Sequence, residues 1–383
     1  MDIRISMAVA IMAVLAIAAF VTPISTLAAP TQDNGHGKVR VIAHTDKEVS
    51  DALANDCKVV RDARTLKALI CSAAVASSLG LQEDVKVSAM DAGANTQIRA
   101  DLVQSSGNNG NGRKVVVLDT GCNYNHPELK SSCLVGKDFV NNDNDQFDDN
   151  GHGSHVAGII TADGIVTKAR GVAPGTEIIS GKVLSASGSG YFSDIVAAIY
   201  WALDGPDSLA GNADDFNADA ISMSLGTSPP YTYKGSCDTV LPDLTTAIKY
   251  SRDRGVIVVV AAGNSGSSGV SIPGCISYST TVGAVDSKNK IASFSGRGNA
   301  VDITAPGVNI YSTWLGTGYA TASGTSMATP VVSGTVALIK SAHPGYTVAQ
   351  IEDALFKTAK DLGAVGKDTN YGWGRVDAYA AVN

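Results

Sequence analysis

Three side chains in this 383-residue chain have the types that acyl transfer needs. Ser326 lies in Gly324-Thr325-Ser326-Met327-Ala328-Thr329-Pro330, a glycine-led turn running into an apolar stretch, Val331–Ala342. His343-Pro344-Gly345 is a stop signal, so the stretch is expected to be a helix. A serine at a helix start meets free N–H groups and the positive end of the macrodipole, so negative charge developing there is stabilised. Pro330 removes the helical bond that the Ser326 carbonyl would otherwise accept. Taken alone, Ser326 is as readily an N-cap. Asp119 ends the run Lys114-Val115-Val116-Val117-Leu118, which reads as a buried parallel strand. Open α/β sheets place their sites at such strand ends, although a turn-capping aspartate fits there too. His152 sits in Asn150-Gly151-His152-Gly153-Ser154-His155-Val156-Ala157-Gly158, between an acidic loop and a small-residue run that predicts a helix. No glutamate separates His152 from His155 in the zinc-protease pattern, which argues against zinc. A hydroxyl is a weak nucleophile near neutral pH. An imidazole must take its proton, and a carboxylate must hold the right tautomer.

The elements that must position these groups read as α/β, a mainly parallel central sheet with helices on both faces. Strands are expected at Lys114–Asp119, Glu177–Leu184 and Val256–Val260, with helices at Ser193–Leu203, Thr245–Arg254 and Val348–Leu362. The chain is 44% hydrophobic and 17% charged, with room for a full core and more than one folding unit. Its net charge of −7 and the lack of a Lys/Arg-rich run argue against a nucleic-acid partner. Residues 1–29 read as a secretory signal peptide: Arg4, the apolar run Met7–Val21, then Leu27-Ala28-Ala29-Pro30 for cleavage. The run is nearer 15 than about 20 residues, short for a membrane span, so no stable membrane insertion is expected after cleavage. Residues 30–93 follow as a small α+β unit, with strands near 38–43, 57–60, 66–71 and 85–88 and helices near 46–55 and 73–79. Six cysteines, an even number, suit an oxidising compartment and allow 15 pairings. Pairing within segments and by proximity favours Cys57–Cys71, Cys122–Cys133 and Cys237–Cys275.

The blocks VVVLDTG, GHGSHVAG and GTSMATP resemble the three signature blocks of the subtilisin-like serine peptidases, the subtilases, in the family's order Asp, His, Ser. The resemblance covers about three-quarters of the chain, from Ala94 onward. Ser154 departs from the family's usual threonine. The resemblance implies a secreted serine endopeptidase that hydrolyses polypeptides through an acyl-enzyme, with Asp119, His152 and Ser326 as its triad. Ala261-Ala262-Gly263-Asn264 matches the block whose Asn donates to the oxyanion, beside the Ser326 N–H. Gly188, Ser189 and Gly190 match the edge that pairs with substrate backbone; Ser224, Leu225 and Gly226 match the opposite wall. Ser265 sits at the rim of the primary pocket with no acidic residue evident, against strict preference for Lys or Arg. Ile272-Pro273-Gly274, near its floor, leaves room for a cis bond.

Residues 30–93 resemble the family's inhibitor-like propeptide, an intramolecular inhibitor removed to leave a catalytic domain of 94–383. The acidic loop Asp138–Asp149 resembles a family calcium loop, with Asp138, Asp143 and Asp145 at ligand-like positions and Phe147 where a polar residue is usual. The second family calcium loop is not carried over to Asp163–Thr167. A monomer with no catalytic cofactor is expected. An inactive binding or scaffold protein of the same fold, and a transpeptidase using the same triad, are the alternatives.

Overall fold

The structure, a computed structural model, describes residues 37–63, 66–83 and 93–383, apart from 208, 210 and 214. The expected signal peptide and the strand near 85–88 lie outside the described residues. The chain divides into two units at Met90/Asp91. The first contains β1 (Lys38–Ala43), α1 (Asp46–Ala54), β2 (Lys58–Ala63), β3 (Leu66–Ser72), α2 (Ala73–Ser78) and β4 (Gln82–Glu83). Its strands form one antiparallel sheet, ordered β2-β3-β1-β4. Alternation along β1 sends Val41 and Ala43 to a core shared with Ala52, Leu69 and Ala76, where the Cys57–Cys71 disulfide also lies. Thr45 and Glu48 form a capping box that fixes the start of α1. This unit is α+β, as its pattern implies.

The second unit opens with α3 (Ala94–Gln97), α4 (Ala100–Ser105), β5 (Lys114–Asp119), β6 (Cys133–Asp138), α5 (His152–Thr161), β7 (Glu177–Lys182), α6 (Phe192–Asp204) and β8 (Ala220–Met223). It continues with β9 (Thr232–Tyr233), α7 (Pro242–Asp253), β10 (Ile257–Ala261), β11 (Val270–Ser271), β12 (Thr280–Val285) and β13 (Ile303–Pro306). Last come β14 (Ile310–Thr313), β15 (Tyr319–Ala322), α8 (Thr325–Ala342), α9 (Val348–Lys357) and α10 (Ala378–Val382). Seven strands make a parallel sheet ordered β13-β12-β10-β8-β5-β7-β6. From β5 the chain passes to the edge strand β6, returns to β7 between β5 and β6, then crosses to β8 on the other side of β5. The carboxyl end of β5 is therefore where the winding reverses, the usual place for a site in an open α/β sheet.

The run in β5 is apolar throughout because both faces are covered. Val115 and Val117 pack in the core that holds Val156 and Ile160 of α5 and Val331, Val332 and Val336 of α8. Val116 and Leu118 pack in the other, with Ile195 and Ile199 of α6 and Leu244 and Ile248 of α7. Burying each such side chain contributes about 1.5–3 kcal/mol. Leu118→Ala, at a fully buried position, should cost about 2–5 kcal/mol. The disulfides Cys122–Cys133 and Cys237–Cys275 complete the expected pairing.

Several boundaries differ from the sequence reading. α7 starts three residues early because Pro242 fits the first helical turn, where its missing N–H costs nothing. α9 stops at Lys357, five residues short of Leu362. Most consequential, α8 starts at Thr325 rather than Val331, with Pro330 inside it. The carbonyl that Pro330 deprives of a partner is that of Ser326, and the Ser224 hydroxyl donates to it at 2.9 Å. A side chain from β8's following loop thus supplies the bond the proline removes. Ile272–Pro273 is cis, as is Pro229–Pro230, which sequence reasoning did not flag.

Candidate active site

Parallel strands bring Asp119, Asn264 and the two flanking segments to the carboxyl edge of the sheet, and the first turns of two helices carry His152 and Ser326. Asp119 ends β5, and Asn264 follows β10. Gly188–Gly190 and Ser224–Gly226 follow β7 and β8, the two neighbours of β5. His152 and Ser326 open α5 and α8, which pack against each other.

Asp119 Oδ1 accepts the Thr120 N–H at 2.8 Å and lies 2.6 Å from His152 Nδ1. Nδ1 therefore carries the proton, and Nε2 is left as the basic atom. Both side chains are buried, and Asp119 Oδ2 has no hydrogen-bond partner. Burial opposes charge on the ring. The Asp119 charge and hydrogen bond, with the Asp148 charge, outweigh it and raise the His152 pKa above the usual histidine value. The close approach of α5 to the end of β5 needs glycine: a Cβ on Gly153 would sit 2.1 Å from the Gly121 carbonyl oxygen.

Ser326 is buried, and its Oγ donates to the Ser224 carbonyl at 3.1 Å. That hydroxyl makes no hydrogen bond to the His152 ring in this structure. Asn264 Oδ1 accepts the Thr325 N–H at 2.9 Å and the Thr325 hydroxyl at 3.1 Å. Those two bonds orient the amide and leave Nδ2 available as a donor. A Cβ placed on Gly324 would lie 3.5 Å from Asn264 Nδ2 and 3.6 Å from Ser326 N, so the two donors border one space. On one flank, the Ser185 N–H donates to Ser189 O at 2.8 Å and the Gly188 N–H to Ser185 O at 2.8 Å, folding a tight turn. Gly190 cannot be replaced there without a shift, because a Cβ would meet Val183 O at 2.0 Å. On the other flank Leu225 is buried and Gly226 packs against Ser271.

The carboxylates of the acidic loop are engaged by nearby hydrogen-bond donors. Asp138 accepts N–H groups from Val140 (2.7 Å) and Asn141 (2.9 Å) on one oxygen and the Asn141 amide on the other (2.8 Å). Asp143 accepts the Asp145 N–H at 2.8 Å, and Asp145 accepts the Tyr124 hydroxyl at 3.0 Å and the Phe147 N–H at 3.1 Å. Each carboxylate closes its own turn, as aspartates commonly do. Among the described residues no group of three or more His, Cys, Asp or Glu is arranged to hold a metal ion.

Several buried polar groups, at the site and beyond it, escaped sequence reasoning. Thr325 clamps Asn264 and also accepts the Gly263 N–H at 3.1 Å. Lys182, only 2% exposed, donates to Thr120 O (2.9 Å), Leu184 O (2.9 Å) and Asp149 (2.7 Å). A lysine inside an apolar strand was its available signal, because a buried charge demands partners. Glu128, fully buried, accepts the N–H groups of Gly164, Ile165 and Val166 at 2.6, 3.0 and 2.7 Å. Burial and then the Glu128 bond and charge push the Tyr319 pKa up to about 12.

The Subtilase family profile matches residues 110–374. Over 286 residues the chain is 40% identical to subtilisin Savinase of Lederbergia lenta, covering 75% of this chain and 96% of that protein. It is 39% identical over 304 residues to an alkaline protease of Alkalihalobacillus alcalophilus, covering 79% and 73%. It is 40% identical over 272 residues to a thermophilic serine proteinase of Bacillus sp. (strain AK1), covering 71% of this chain and 62% of that longer protein. The chain therefore belongs to the subtilase family and is a subtilisin-like serine endopeptidase.

Proposed function

We propose that the enzyme is secreted, cleaves polypeptides through a Ser326 acyl-enzyme, and matures by removing its own N-terminal segment. The observation that carries the chemistry is the buried 2.6 Å Asp119–His152 contact at the same sheet edge as Ser326 and Asn264. With substrate bound, the Ser326 hydroxyl turns from the Ser224 carbonyl toward His152 Nε2. Hydrogen bonds of this kind are commonly loose before substrate arrives. Ser326 Oγ attacks the peptide carbonyl carbon while its proton passes to Nε2, and Asp119 stabilises the imidazolium. Asn264 Nδ2 and the Ser326 N–H receive the oxyanion; each such donor is worth roughly 3 kcal/mol, a figure that comes from subtilisin itself. His152 then protonates the leaving amine, the C–N bond breaks, and water repeats the sequence on the acyl ester. An extended substrate lies between Gly188–Gly190 and Ser224–Gly226, which aligns the carbonyl before reaction.

Residues 1–29 direct export, and the three disulfides suit that destination. Residues 30–93 act as an intramolecular inhibitor. Supporting this, the chain divides at Met90/Asp91 and the N-terminal unit has its own core. No helix among the described residues is long and apolar enough to cross a membrane. Intact masses of the exported protein test the reading. Wild type should shorten to a start near Ala94 while Ser326→Ala keeps the segment; equal shortening of both would contradict self-processing, and shortening of neither would contradict the junction.

A further inference from the structure

Behind the Asp119–His152 pair sits a second carboxylate that the chemistry above leaves unused. Asp148 is fully buried, and five hydrogens point at it. Oδ1 accepts the Thr120 hydroxyl (2.9 Å) and the N–H groups of Asn150 (3.0 Å) and Gly151 (2.8 Å). Oδ2 accepts the Ser154 N–H (2.8 Å) and hydroxyl (2.6 Å). A buried carboxylate is tolerated only with such a set of donors. The same hydroxyls extend the tie: Thr120 Oγ1 accepts the Gly153 N–H at 2.8 Å, and Ser154 Oγ accepts the Asn123 N–H at 2.9 Å. Asp148 thus joins the residue after Asp119 to Gly151 and Ser154, which bracket His152 in the first turn of α5.

The charged and titratable groups around His152 are few. Asp119 faces it from β5 and Asp148 from the loop before α5. His155 lies one turn along α5, where burial and the His152 charge lower its pKa to about 4. Lys182 of β7 is paired with Asp149. The part of α8 near the site carries no charged side chain, and β14 and β15 bring Tyr311 and Tyr319, the latter bonded to Glu128.

We propose that Asp148 is a positioning residue for the acyl-transfer reaction, resting on the peptidase reading above. It holds Thr120 and the first turn of α5 together, which aims the His152 ring at Asp119, and its negative charge favours the imidazolium formed when Ser326 gives up its proton. The upward direction of the His152 pKa, to which the Asp148 charge contributes, agrees with this.

The test compares wild type, Asp148→Asn and Thr120→Val as exported, on a peptide p-nitroanilide across pH. Asp148→Asn should lower kcat roughly tenfold or more with KM within about twofold, since small misplacements of reacting groups cost at least that much. Its acid limb in kcat/KM should move to lower pH, because the base works neutral and loses a charge that favoured protonation. Thr120→Val keeps the charge and cuts the tie, so it should lose kcat without that downward move. A purely structural role would instead lower the fraction of active protein and leave the profile in place. A folded Asp148→Asn with wild-type kcat and acid limb overturns the proposal. If Asp148→Asn fails to fold, wild-type kcat in Thr120→Val overturns it. Ser326→Ala, run alongside, tests the peptidase reading separately. In that inactive background the His152 Nδ1 proton can be titrated by NMR with and without Asp148→Asn, and an unchanged titration overturns the proposal whatever the catalytic result.

Discussion

On the Asp119–His152 side of the site, two buried carboxylates, Asp119 and Asp148, act on a buried imidazole. On the Ser326 side the contacts are neutral: two serine hydroxyls, a threonine, backbone groups and the exposed amide of Asn264. The first half controls where a proton resides, because charges act strongly where solvent cannot screen them. The second half controls where atoms sit, with donors fixed before charge develops. Changes in the first half should therefore appear in pH profiles, and changes in the second in kcat or stability at any one pH.

Asn264→Ala gives the largest separation of the two. It should lower kcat about 10²–10³-fold with KM and the acid limb nearly unmoved, a magnitude established for subtilisin. Steady-state kinetics across pH check it; a shifted acid limb would mean the halves are electrostatically coupled.

Next comes a pH effect on stability that belongs to the charged half. His155 Nε2 lies 3.2 Å from Ile310 O and 3.1 Å from Ala320 O, and burial is the main cause that lowers its pKa to about 4. Its folded pKa lies below the unfolded value, so the unfolded chain binds the proton first. The neutral ring's contribution is complete above about pH 6.5 and disappears as pH falls toward and below 4, up to about 3 kcal/mol. His126, lowered chiefly by burial, adds in the same direction. Urea unfolding of Ser326→Ala at pH 7 and pH 4 should show the loss, and adding His155→Gln should make it smaller; an identical loss would count against His155.

Smallest is Ser224→Ala, in the neutral half. It strips the Ser326 carbonyl of its donor and should cost about 1–3 kcal/mol in unfolding free energy. Pro330→Ala restores an N–H four residues on, so the double variant should lose less than the two singles summed. Additive losses would show that the serine–proline exchange described above is not what holds the helix.

What could be read beforehand differs between the halves for the same reason. Asp119, His152 and Ser326 each stand at the end of a strongly patterned element and within a family-like block, and Asn264 was legible only through the family resemblance. Both faces of β5 and the segment-by-segment disulfides were legible in the same way. Asp148 was not, because the stretch from Asp138 to Asp149 repeats Asp without a pattern and only the fold separates buried Asp148 from exposed Asp145. Calcium at Asp138, Asp143 and Asp145 shares that ambiguity: oxygen-rich composition does not say whether carboxylates converge or close separate turns. The start of α8 was missed because the donor that tolerates Pro330 comes from Ser224, about a hundred residues away in the chain.

The most direct test of whether the charged half activates the neutral half is covalent labelling of the exported protein with a fluorophosphonate, followed by peptide mapping. Activation of Ser326 by His152 predicts one adduct, on Ser326, with a labelling rate that rises with pH through the His152 titration and collapses in His152→Ala. An adduct elsewhere, or equal labelling of Ser326 without His152, would contradict it.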